Sequence, residues 1–550
     1  MTYYKSLLLT TLIFLSVSCS PKESVDLLVV NAKVYTVDDT QKTATAFAVH
    51  QGRFVAVGET ETLQNQYKAS KLIDAQGKAV TPGLIDAHCH FYGLGQNQQV
   101  VDLVGTKSYQ EVLDRVVAFH DEKPAVFIRG RGWDQNDWEE KKYPTKAALD
   151  ALFPDTPVAL ERVDGHAYLV NQAAYLVNQA ALDLAGITTD TEVAGGSIEK
   201  ENGALIGILV DNPMALVDAV MPKPTVADIV TALKDAQRIA FSYGLTTVND
   251  AGLNRDVIEI IDSLHQTGDL KMRIYAMVSN SPENLDYFLS KGVIETPRLR
   301  VGSVKVYADG ALGSRGATLR EAYSDRDHHF GAMVTGVKEI EALAKRIAAT
   351  DYQMNTHAIG DSANIVVLRA YAEALVGTTD KRWKVEHAQI ISPEDFDYFN
   401  GGIIPSVQPT HATSDMYWAE DRLGSKRMAG AYAFKTLLNK AGTIALGTDF
   451  PVEQVSPFLT FLAATARQDT SGYPEGGFQI QDGLTREETL KGMTLWAAYS
   501  NFQEAERGSI SVGKMADFVI YHQDMMQVPL IEVPNTEVFR TYVGGELVYE

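Results

Sequence analysis

The sequence has few cysteines, little basic charge and no long apolar run. Cys19 and Cys89 are its two cysteines, which excludes a framework of several disulfides. The 49 lysines and arginines are outnumbered by 70 aspartates and glutamates, so the net charge of -21 argues against a nucleic-acid-binding protein, which needs a basic surface. No apolar run reaches the about 20 residues of a membrane-spanning helix. The 45% hydrophobic and 22% charged residues are typical of a folded globular protein and exclude disordered, collagen-like and coiled-coil chains.

The N-terminus has the pattern of a bacterial export signal: a basic start, an apolar run over 7–17, and small residues after it. The segment Leu15–Cys19 resembles a lipobox, with Cys19 as the lipidated first residue of the mature chain. We therefore expect a signal peptide at 1–18 and a lipid-anchor tether at 19–24. A chain anchored in this way is an outer-membrane lipoprotein of the cell envelope, facing either the periplasm or the cell surface. A plain secretory signal with an incidental cysteine is the alternative.

The rest of the chain divides into β-rich ends and an α/β middle. Residues 25–80 and 507–550 have the pattern of short strands and turns, which could pair into one small β domain. Residues 81–506 alternate apolar strands with amphipathic helical stretches, as parallel α/β folds do. Ten candidate strands lie there, and treating 91–225 as an insertion removes two of them, which leaves the eight of a closed barrel. These eight strands are predicted at 83–87, 245–249, 273–278, 301–307, 353–356, 384–386, 403–407 and 443–446.

The first predicted barrel strand ends in two histidines separated by one residue. Side chains alternate along a strand, so His88 and His90 should face the same side and Cys89 the other. Two imidazoles on the inner face of a barrel can share one metal ion. Cys89 is then expected to point toward the outer helices.

Further residues suited to metal binding lie on four later strands. Lys305 is within the fourth apolar strand, where a lysine is costly unless it is paired or neutralised. His357, His387 and Asp449 end the fifth, sixth and eighth strands. Because barrel active sites lie at the C-terminal ends of the strands, these residues and the two histidines of the first strand predict one metal site.

These motifs resemble the amidohydrolase superfamily, in its YtcJ-like (amidohydrolase type 3) branch. The resemblance implies a distorted (β/α)8 TIM barrel, beside a small β-sandwich formed by both chain ends and with an insertion after the first barrel strand. It also implies two divalent metal ions, with zinc as the expected metal. The matching segments cover nearly the whole mature chain: 81–91, 163–166, 304–315, 355–361, 385–388, 407–409 and 447–449. The implied ligands are His88, His90, Lys305, His357, His387 and Asp449.

The resemblance further assigns a role to each ligand. The two histidines of the first strand and Asp449 would hold the more buried metal, and His357 and His387 the more exposed one. Lys305, carboxylated by CO2, would bridge the two metals. Asp449 would take a proton from the attacking water and pass it to the leaving amine, since a carboxylate can do both in turn. Zinc would lower the pKa of the bound water toward about 7.

Other residues near the predicted strand ends are candidates for binding a substrate. In the insertion, Arg131 and Trp133 are expected on a loop, and His166 ends a further strand. An apolar or aryl substituent would suit the aromatic residues, whereas Arg131 and Arg315 could instead accept an acid. Surface loops that pack on the barrel are the alternative interpretation of the insertion. After the fourth and seventh strands, the candidates are Asp309, Ser314, Arg315, Gln408 and His411.

The leading functional hypothesis is a metal-dependent hydrolase of an amide C–N bond, in an N-substituted formamide or N-acyl amine. A second hypothesis keeps the site but hydrolyses a cyclic imide, lactone or other ester. A third is a surface lipoprotein that binds a solute without turnover, although the ligand set has no gap. The expected partners are a small-molecule substrate and a membrane reached through the lipid anchor, but no nucleic acid. The sequence leaves a homodimer open.

Overall fold

The computed structural model describes residues 22–162, 174–193, 196–211 and 213–550. The predicted signal peptide, Cys19 and His166 lie outside these residues. The described chain forms a parallel barrel, a pair of small sheets built from both chain ends, and an inserted sheet with its own helices. Within these ranges, no helix combines the length and apolar character needed to cross a bilayer.

Eight parallel strands, labelled β1 to β8, form the barrel sheet in chain order. Each coincides with one predicted strand, which confirms the count of eight. After β8, the Asp449 N–H donates to the His88 carbonyl of β1 at 2.9 Å, so the two edges of the sheet meet. A short strand, Ile294–Glu295, pairs antiparallel with the fourth barrel strand. The barrel strands are Leu84–Cys89 (β1), Leu245–Leu253 (β2), Arg273–Ser279 (β3), Leu299–Tyr307 (β4), Gln353–Ala358 (β5), Lys384–His387 (β6), Ile404–Val407 (β7) and Ala445–Leu446 (β8).

Helices with one apolar face pack on the outside of the barrel. The helix Val226–Ser242, which precedes β2, begins at a capping box, because Thr225 and Asp228 each accept a hydrogen bond from the other's backbone N–H. Its buried face includes Ile229 and Leu233, which belong to the main hydrophobic core. The other helices of this part are Phe91–Asn97, Arg255–Thr267, Pro282–Lys291, Val337–Ala348, Asp361–Ala374, Pro409–Asp415, Ala419–Met428, Phe434–Ala441, Pro457–Thr465, Arg486–Gly492 and Leu495–Ser500, with 3-10 helices at Pro393–Gly401, Ile480–Asp482 and Leu530–Asn535.

A glycine lets the first and last barrel strands approach each other. A Cβ atom at Gly447 would stand 2.5 Å from the His88 nitrogen and 2.8 Å from a carboxylate oxygen of Asp86, so no larger residue fits without movement. The Asp86 carboxylate also accepts hydrogen bonds from the His88 and Thr448 N–H groups, at 3.1 Å each, and from the Thr448 hydroxyl at 2.7 Å. The strand ends that carry His88 and Asp449 are therefore held together.

The two chain ends form a β-sandwich beside the barrel. One sheet is built from N-terminal strands alone, and the other combines strands from both ends. Residues 23 and 24, predicted to belong to the tether, are already part of a strand, because Glu23 and Ser24 pair in parallel with Tyr67 and Lys68. The first sheet has the order Arg53–Gly58, Ala46–His50, Glu23–Val30 and Tyr67–Asp74, and the helix Thr60–Gln66 precedes its last strand. The second has the order Glu546–Tyr549, Val538–Val543, Phe518–Tyr521, Ala79–Pro82, Lys33–Tyr35 and Thr43–Ala44.

A buried ion pair joins the sandwich to the barrel. The Arg273 guanidinium on β3 donates to both carboxylate oxygens of Asp517, at 2.8 and 2.9 Å. The Gly544 N–H donates to the same carboxylate at 2.7 Å. Burial alone would raise the pKa of Asp517, but the Arg273 charge and hydrogen bonds hold it below its usual range.

The insertion forms a separate sheet with its own hydrophobic cores. Trp133 is fully buried in a strand of this sheet, and its indole N–H donates to the Leu160 carbonyl at 2.8 Å. The prediction that Trp133 lies on a loop is therefore wrong: its ring packs beside Trp138 and Tyr143. The strand order is Gly196–Glu201, Ala204–Asp211, Ala174–Val177, Val158–Arg162, Ile128–Trp133 and Val101–Asp102. The helices are Tyr109–Glu122, Ala147–Leu152, Gln179–Leu184 and Met214–Asp218, with a 3-10 turn at Gln135–Asp137.

Candidate metal centre

The two histidines at the end of β1 face the barrel interior, as their alternation predicts. The Nε2 atoms of His88 and His90 lie 3.5 and 3.3 Å from the same oxygen of Asp449. Cys89, between them, is buried in the core shared by strands and helices, with Phe91 as a neighbour in that core. The imidazoles thus point to the strand ends and the thiol to the helical layer, which confirms this part of the sequence prediction.

Asp449 lies at the centre of the cluster. One carboxylate oxygen faces His88 and His90, and the other is 3.2 Å from Nε2 of His411. Burial alone would raise the pKa of Asp449, but the neighbouring histidines outweigh burial and hold it well below its usual range. Its backbone is left-handed, with φ 64, and so is that of His387, with φ 70. Such backbone persists only where the surrounding structure enforces it.

Lys305 projects from β4 into the same cluster. Only 1% of it is exposed, and its amine is 3.1 Å from Nε2 of His88. Burial lowers the pKa of Lys305 and outweighs the opposing charges of Glu386 and Asp449. A lysine held in this way favours the neutral amine.

His357 and His387, at the ends of β5 and β6, stand next to each other with ring centroids 4.4 Å apart. Burial lowers the pKa of His357 to about 3 and lowers that of His387 well below its usual range. Nε2 of His357 and Nδ1 of His387 are buried without a hydrogen-bond partner among the described residues. Both imidazoles are therefore neutral, with a ring nitrogen free to bind a ligand.

Among the residues that the structure describes, two groups of three side chains are close enough to share a cation. In the first, ligand atoms of His88, His90 and Asp449 all lie within 4.8 Å of one another; in the second, those of His387, His411 and Asp449 do. The second group contains His411, which the sequence suggests only for substrate binding. It does not contain His357, the predicted partner of His387.

Several carboxylates that sequence reasoning missed hold these ligands in place. Oε2 of Glu386, on β6, lies 2.7 Å from Nδ1 of His88 and is buried with it. Glu453, four residues after Asp449, lies 3.3 Å from Nδ1 of His411. Glu386 directly precedes a predicted ligand, so its place on the strand was visible, but the partner of its side chain was not.

Asp250, within β2, fixes the turn that follows His90. Its carboxylate accepts hydrogen bonds from the Phe91 and Tyr92 N–H groups at 3.0 Å each. Burial raises the pKa of Asp250 to about 7, as it does for Asp86 at the other side of the strand. These carboxyl groups position backbone and do not face the cluster of imidazoles.

The donor set fits a divalent transition metal. Imidazole nitrogens and carboxylate oxygens are the ligands that zinc prefers, and three of them per ion leave room for water or substrate. Buried polar atoms normally have partners, so the unpaired nitrogens of His357 and His387 point to a group that completes them.

The cluster forms the floor of a cavity of about 670 Å³. Apart from the ligands, its walls come from the end of β4 and from the loops after β4, β5, β6, β7 and β8, with aromatic and aliphatic side chains and four acids. No arginine and only one lysine, Lys305, line it within the described part of the chain. The apolar wall residues are Tyr307, Leu312, Val334, Ile359, Trp418 and Val452, and the acids are Asp309, Asp415, Asp449 and Glu453.

The predicted substrate-binding residues fall into two sets. Asp309, Ser314 and His411 line the cavity. The Asp309 carboxylate, however, is turned to the backbone, where it accepts from the Thr318, Ile359 and Gly360 N–H groups at 2.8, 2.9 and 2.8 Å. The remaining described candidates are not brought to the cavity walls. Arg131 and Trp133 lie in the inserted sheet, Gln408 is buried behind β7, and Arg315 makes two hydrogen bonds with the Asp325 carboxylate.

Comparisons with known proteins agree with this geometry. The profile of the amidohydrolase family matches residues 71–549. Relatives include the Arabidopsis thaliana protein LONG AFTER FAR-RED 3, 32% identical over 95% of this chain and 91% of its own, and the amidohydrolase YtcJ of Bacillus subtilis, 30% identical over 94% and 98%. The N-substituted formamide deformylase of Arthrobacter pascens is 27% identical over 96% and 98%.

A solved structure shares most of this fold. An uncharacterized metal-dependent hydrolase from Pyrococcus horikoshii superposes with a TM-score of 0.78 and 26% identity, over 92% of this chain and 99% of its own. The barrel, its ligand cluster and the family match over most of the chain lead to one conclusion. The chain belongs to the amidohydrolase family and is a hydrolytic enzyme that acts on carbon–nitrogen bonds.

Proposed function

We propose that the enzyme hydrolyses the amide bond of an N-substituted formamide or a related N-acyl amine. The observation that carries this proposal is the pair of ligand groups that share Asp449 on the floor of a largely apolar cavity. A relative named N-substituted formamide deformylase supports the choice of substrate class. The products would be a carboxylic acid, formate for a formamide, and the free amine.

His88, His90, Lys305, His357, His387 and Asp449 would hold two divalent cations, which we propose to be zinc. Such cations polarise a carbonyl oxygen and lower the pKa of water. Lys305 would carry a carboxylate made from CO2, because an anionic carbamate offers two oxygens where an amine offers one nitrogen. Its burial favours the neutral amine, which is the form that reacts with CO2.

Asp449 would move the proton. Its carboxylate belongs to both ligand groups, so it lies where it could accept a proton as water adds to the amide carbon. The same carboxyl group then donates that proton to the amine nitrogen as the C–N bond breaks, so no net proton is gained or lost. Each carboxylate oxygen has two lone pairs, so contact with a cation leaves a position for the proton.

The cavity favours an uncharged, apolar substituent on the amine. Tyr307 and Trp418 supply aromatic surface on its walls, and Leu312 and Val452 supply aliphatic surface. A substrate acid would meet the carboxyl groups of Asp415 and Glu453 and no arginine among the described lining residues. The cavity volume of about 670 Å³ falls within the range of sites for small organic ligands.

A hydrolysis screen on zinc-loaded protein tests this proposal. The panel contains N-benzylformamide, N-acetylbenzylamine, N-formylglycine, a cyclic imide and a lactone. We expect turnover of the benzyl amides and a kcat/KM at least tenfold lower for N-formylglycine. Faster turnover of the imide or lactone would instead support the alternative hydrolase, and binding without turnover would support a solute-binding protein.

We also propose that the protein is an outer-membrane lipoprotein, with residues 1–18 removed and Cys19 acylated. The support is the basic, apolar and small-residue pattern that ends in that cysteine. Mass spectrometry of membrane-extracted protein should identify a lipid-modified peptide that begins at Cys19. A soluble product with another first residue would overturn this proposal.

A further inference from the structure

We propose that His411 is a metal ligand, and that it holds the second cation together with His387 and Asp449. This inference rests on the proposed metal-dependent function and adds a residue to the ligand set that the family resemblance implies. Its starting point is distance: ligand atoms of these three side chains all lie within 4.8 Å of one another.

The imidazole of His411 is held in the same way as those of β1. Histidine ligands usually bond one ring nitrogen to an oxygen of the protein and leave the other for the metal. In all three histidines here, Nδ1 meets such an oxygen. The distances are 2.7 Å from His88 to Glu386, 3.1 Å from His90 to the Ala251 carbonyl and 3.3 Å from His411 to Glu453.

The other ring nitrogens of these three histidines converge on one carboxylate. Nε2 of His88 and Nε2 of His90 face Oδ1 of Asp449, at 3.5 and 3.3 Å, and Nε2 of His411 faces Oδ2 at 3.2 Å. Asp449 thus presents one oxygen to each group. His387 stands beside the second oxygen, with its ring centroid 5.7 Å from that of His411 and a buried Nδ1 that has no partner among the described residues.

The local sequence fixes His411 at this place. The helix Pro409–Asp415 begins two residues after β7, with Pro409 at its first position, so His411 lies in the first turn at the C-terminal end of the barrel. Glu453 is held in turn by the Ser414 hydroxyl, which donates to it at 2.7 Å. Only 15% of the His411 side chain is exposed, and its Nε2 faces the Asp449 carboxylate.

A measurement of metal content distinguishes a metal ligand from a residue that binds substrate or only hydrogen-bonds to Asp449. Apoprotein, prepared with a chelator, is titrated with Zn²⁺ and with Co²⁺, and bound metal is counted by mass spectrometry after gel filtration. Wild-type protein should bind two equivalents. His411→Ala should bind one tightly and the second at least tenfold more weakly. Glu453→Gln, which alters the residue behind the ligand, should weaken the second equivalent by about 10–100-fold.

Asp415→Asn is the matched control, because Asp415 lines the same cavity but accepts from Tyr432 and Gln389 and belongs to neither ligand group. It should retain both equivalents. Two equivalents with unchanged affinities in His411→Ala would overturn the inference and leave the metal-dependent function intact. No bound metal in wild-type protein would overturn both.

A second measurement does not depend on the variant folding. Anomalous scattering at the zinc edge of wild-type crystals should place one ion about 2.0–2.1 Å from Nε2 of His411. Two ions with His411 still bonded only to Asp449 would make His411 a positioning residue and refute its role as a ligand.

Discussion

Nδ1 of His88 lies 2.7 Å from Oε2 of Glu386, and neither side chain is exposed to solvent. Burial alone would raise the pKa of Glu386, but the proximity of His88 outweighs burial and holds it below its usual range. The carboxylate fixes the tautomer of the imidazole, because Nδ1 donates to it and Nε2 is left to face the cluster. An acid on the sixth strand therefore orients a ligand on the first.

The first prediction follows from this pair. Glu386→Gln keeps the shape of the side chain but removes the charge that favours Nδ1–H on His88. We expect metal affinity to fall by about 10–100-fold, as for other carboxylates behind a histidine ligand. Zinc titration of apoprotein measures the effect. Glu394→Gln, an exposed change nearby in sequence, is the control and should leave affinity unaltered.

The second prediction concerns Lys305, which is 1% exposed and 3.1 Å from His88. Lys305→Ala should lose activity and at least one metal equivalent, because both cations would share the carbamate. Short carboxylic acids should restore part of the activity by occupying the space left. A variant with two metals and normal turnover would rule out the bridge and favour a one-metal site.

The third prediction separates proton transfer from binding. Asp449→Asn retains one oxygen but cannot accept the proton, so kcat should fall by at least about a hundredfold while KM changes little. Metal content must be measured beside the rates, since Asp449 faces both ligand groups. A fully metal-loaded variant with near-normal kcat would show that another group is the base.

The sequence predicts the barrel well because its signal is local. Apolar runs give the eight strands, and alternation alone turns His88 and His90 inward and Cys89 outward. The positions of Lys305 and Asp449 at the strand ends follow from the rule that barrel sites lie at that face.

What the sequence does not contain is the partner of each side chain. Glu386 and Glu453 look like ordinary acids until the fold brings them to His88 and His411. The sequence suggests that Arg315 could accept an acid, but its guanidinium donates two hydrogen bonds to Asp325, ten residues later. Local pattern gives the face on which a residue lies, and only tertiary packing decides what it meets there.

The fourth prediction follows from the corrected position of Trp133, which is 0% exposed in the insertion core. Trp133→Ala should destabilise the insertion by about 3–5 kcal/mol, because it leaves a large cavity. Thermal unfolding should show the loss, with KM little changed in the folded fraction. Trp418→Ala, which removes part of the cavity wall, should instead raise KM for benzyl amides.

The fifth prediction concerns pH and lies far from the metal centre. His265, in the helix Arg255–Thr267, donates from Nε2 to the Met272 carbonyl at 2.9 Å, and its Nδ1 is buried without a hydrogen-bond partner in the described part of the chain. A proton on Nδ1 would be buried without an acceptor. Burial therefore lowers the pKa of His265 to about 4, with nearby arginines adding to the effect.

The sign of the pH effect follows from this difference between the two states. In the unfolded chain the pKa of a histidine is about 6.5. As pH falls below that value, His265 therefore binds a proton in the unfolded state but stays neutral in the folded state. The free energy of unfolding then decreases until pH reaches about 4, where the folded state is protonated as well. Between pH 7 and pH 5, the contribution lost is about 2 kcal/mol.

Urea unfolding of wild-type protein and His265→Gln at pH 7 and pH 5 measures this contribution. Glutamine can still donate to the Met272 carbonyl but does not titrate. Between pH 7 and pH 5, the free energy of unfolding of the variant should therefore fall by about 2 kcal/mol less than that of wild type. His522→Gln, at an exposed position, should follow wild type at both pH values. Metal release and the loss of carboxylate charge affect all three proteins alike and cancel in the comparison. Equal decreases in the free energy of unfolding of wild type and His265→Gln would mean that the folded protein accommodates the proton. Burial of Nδ1 would then not control the stability of the protein in acid.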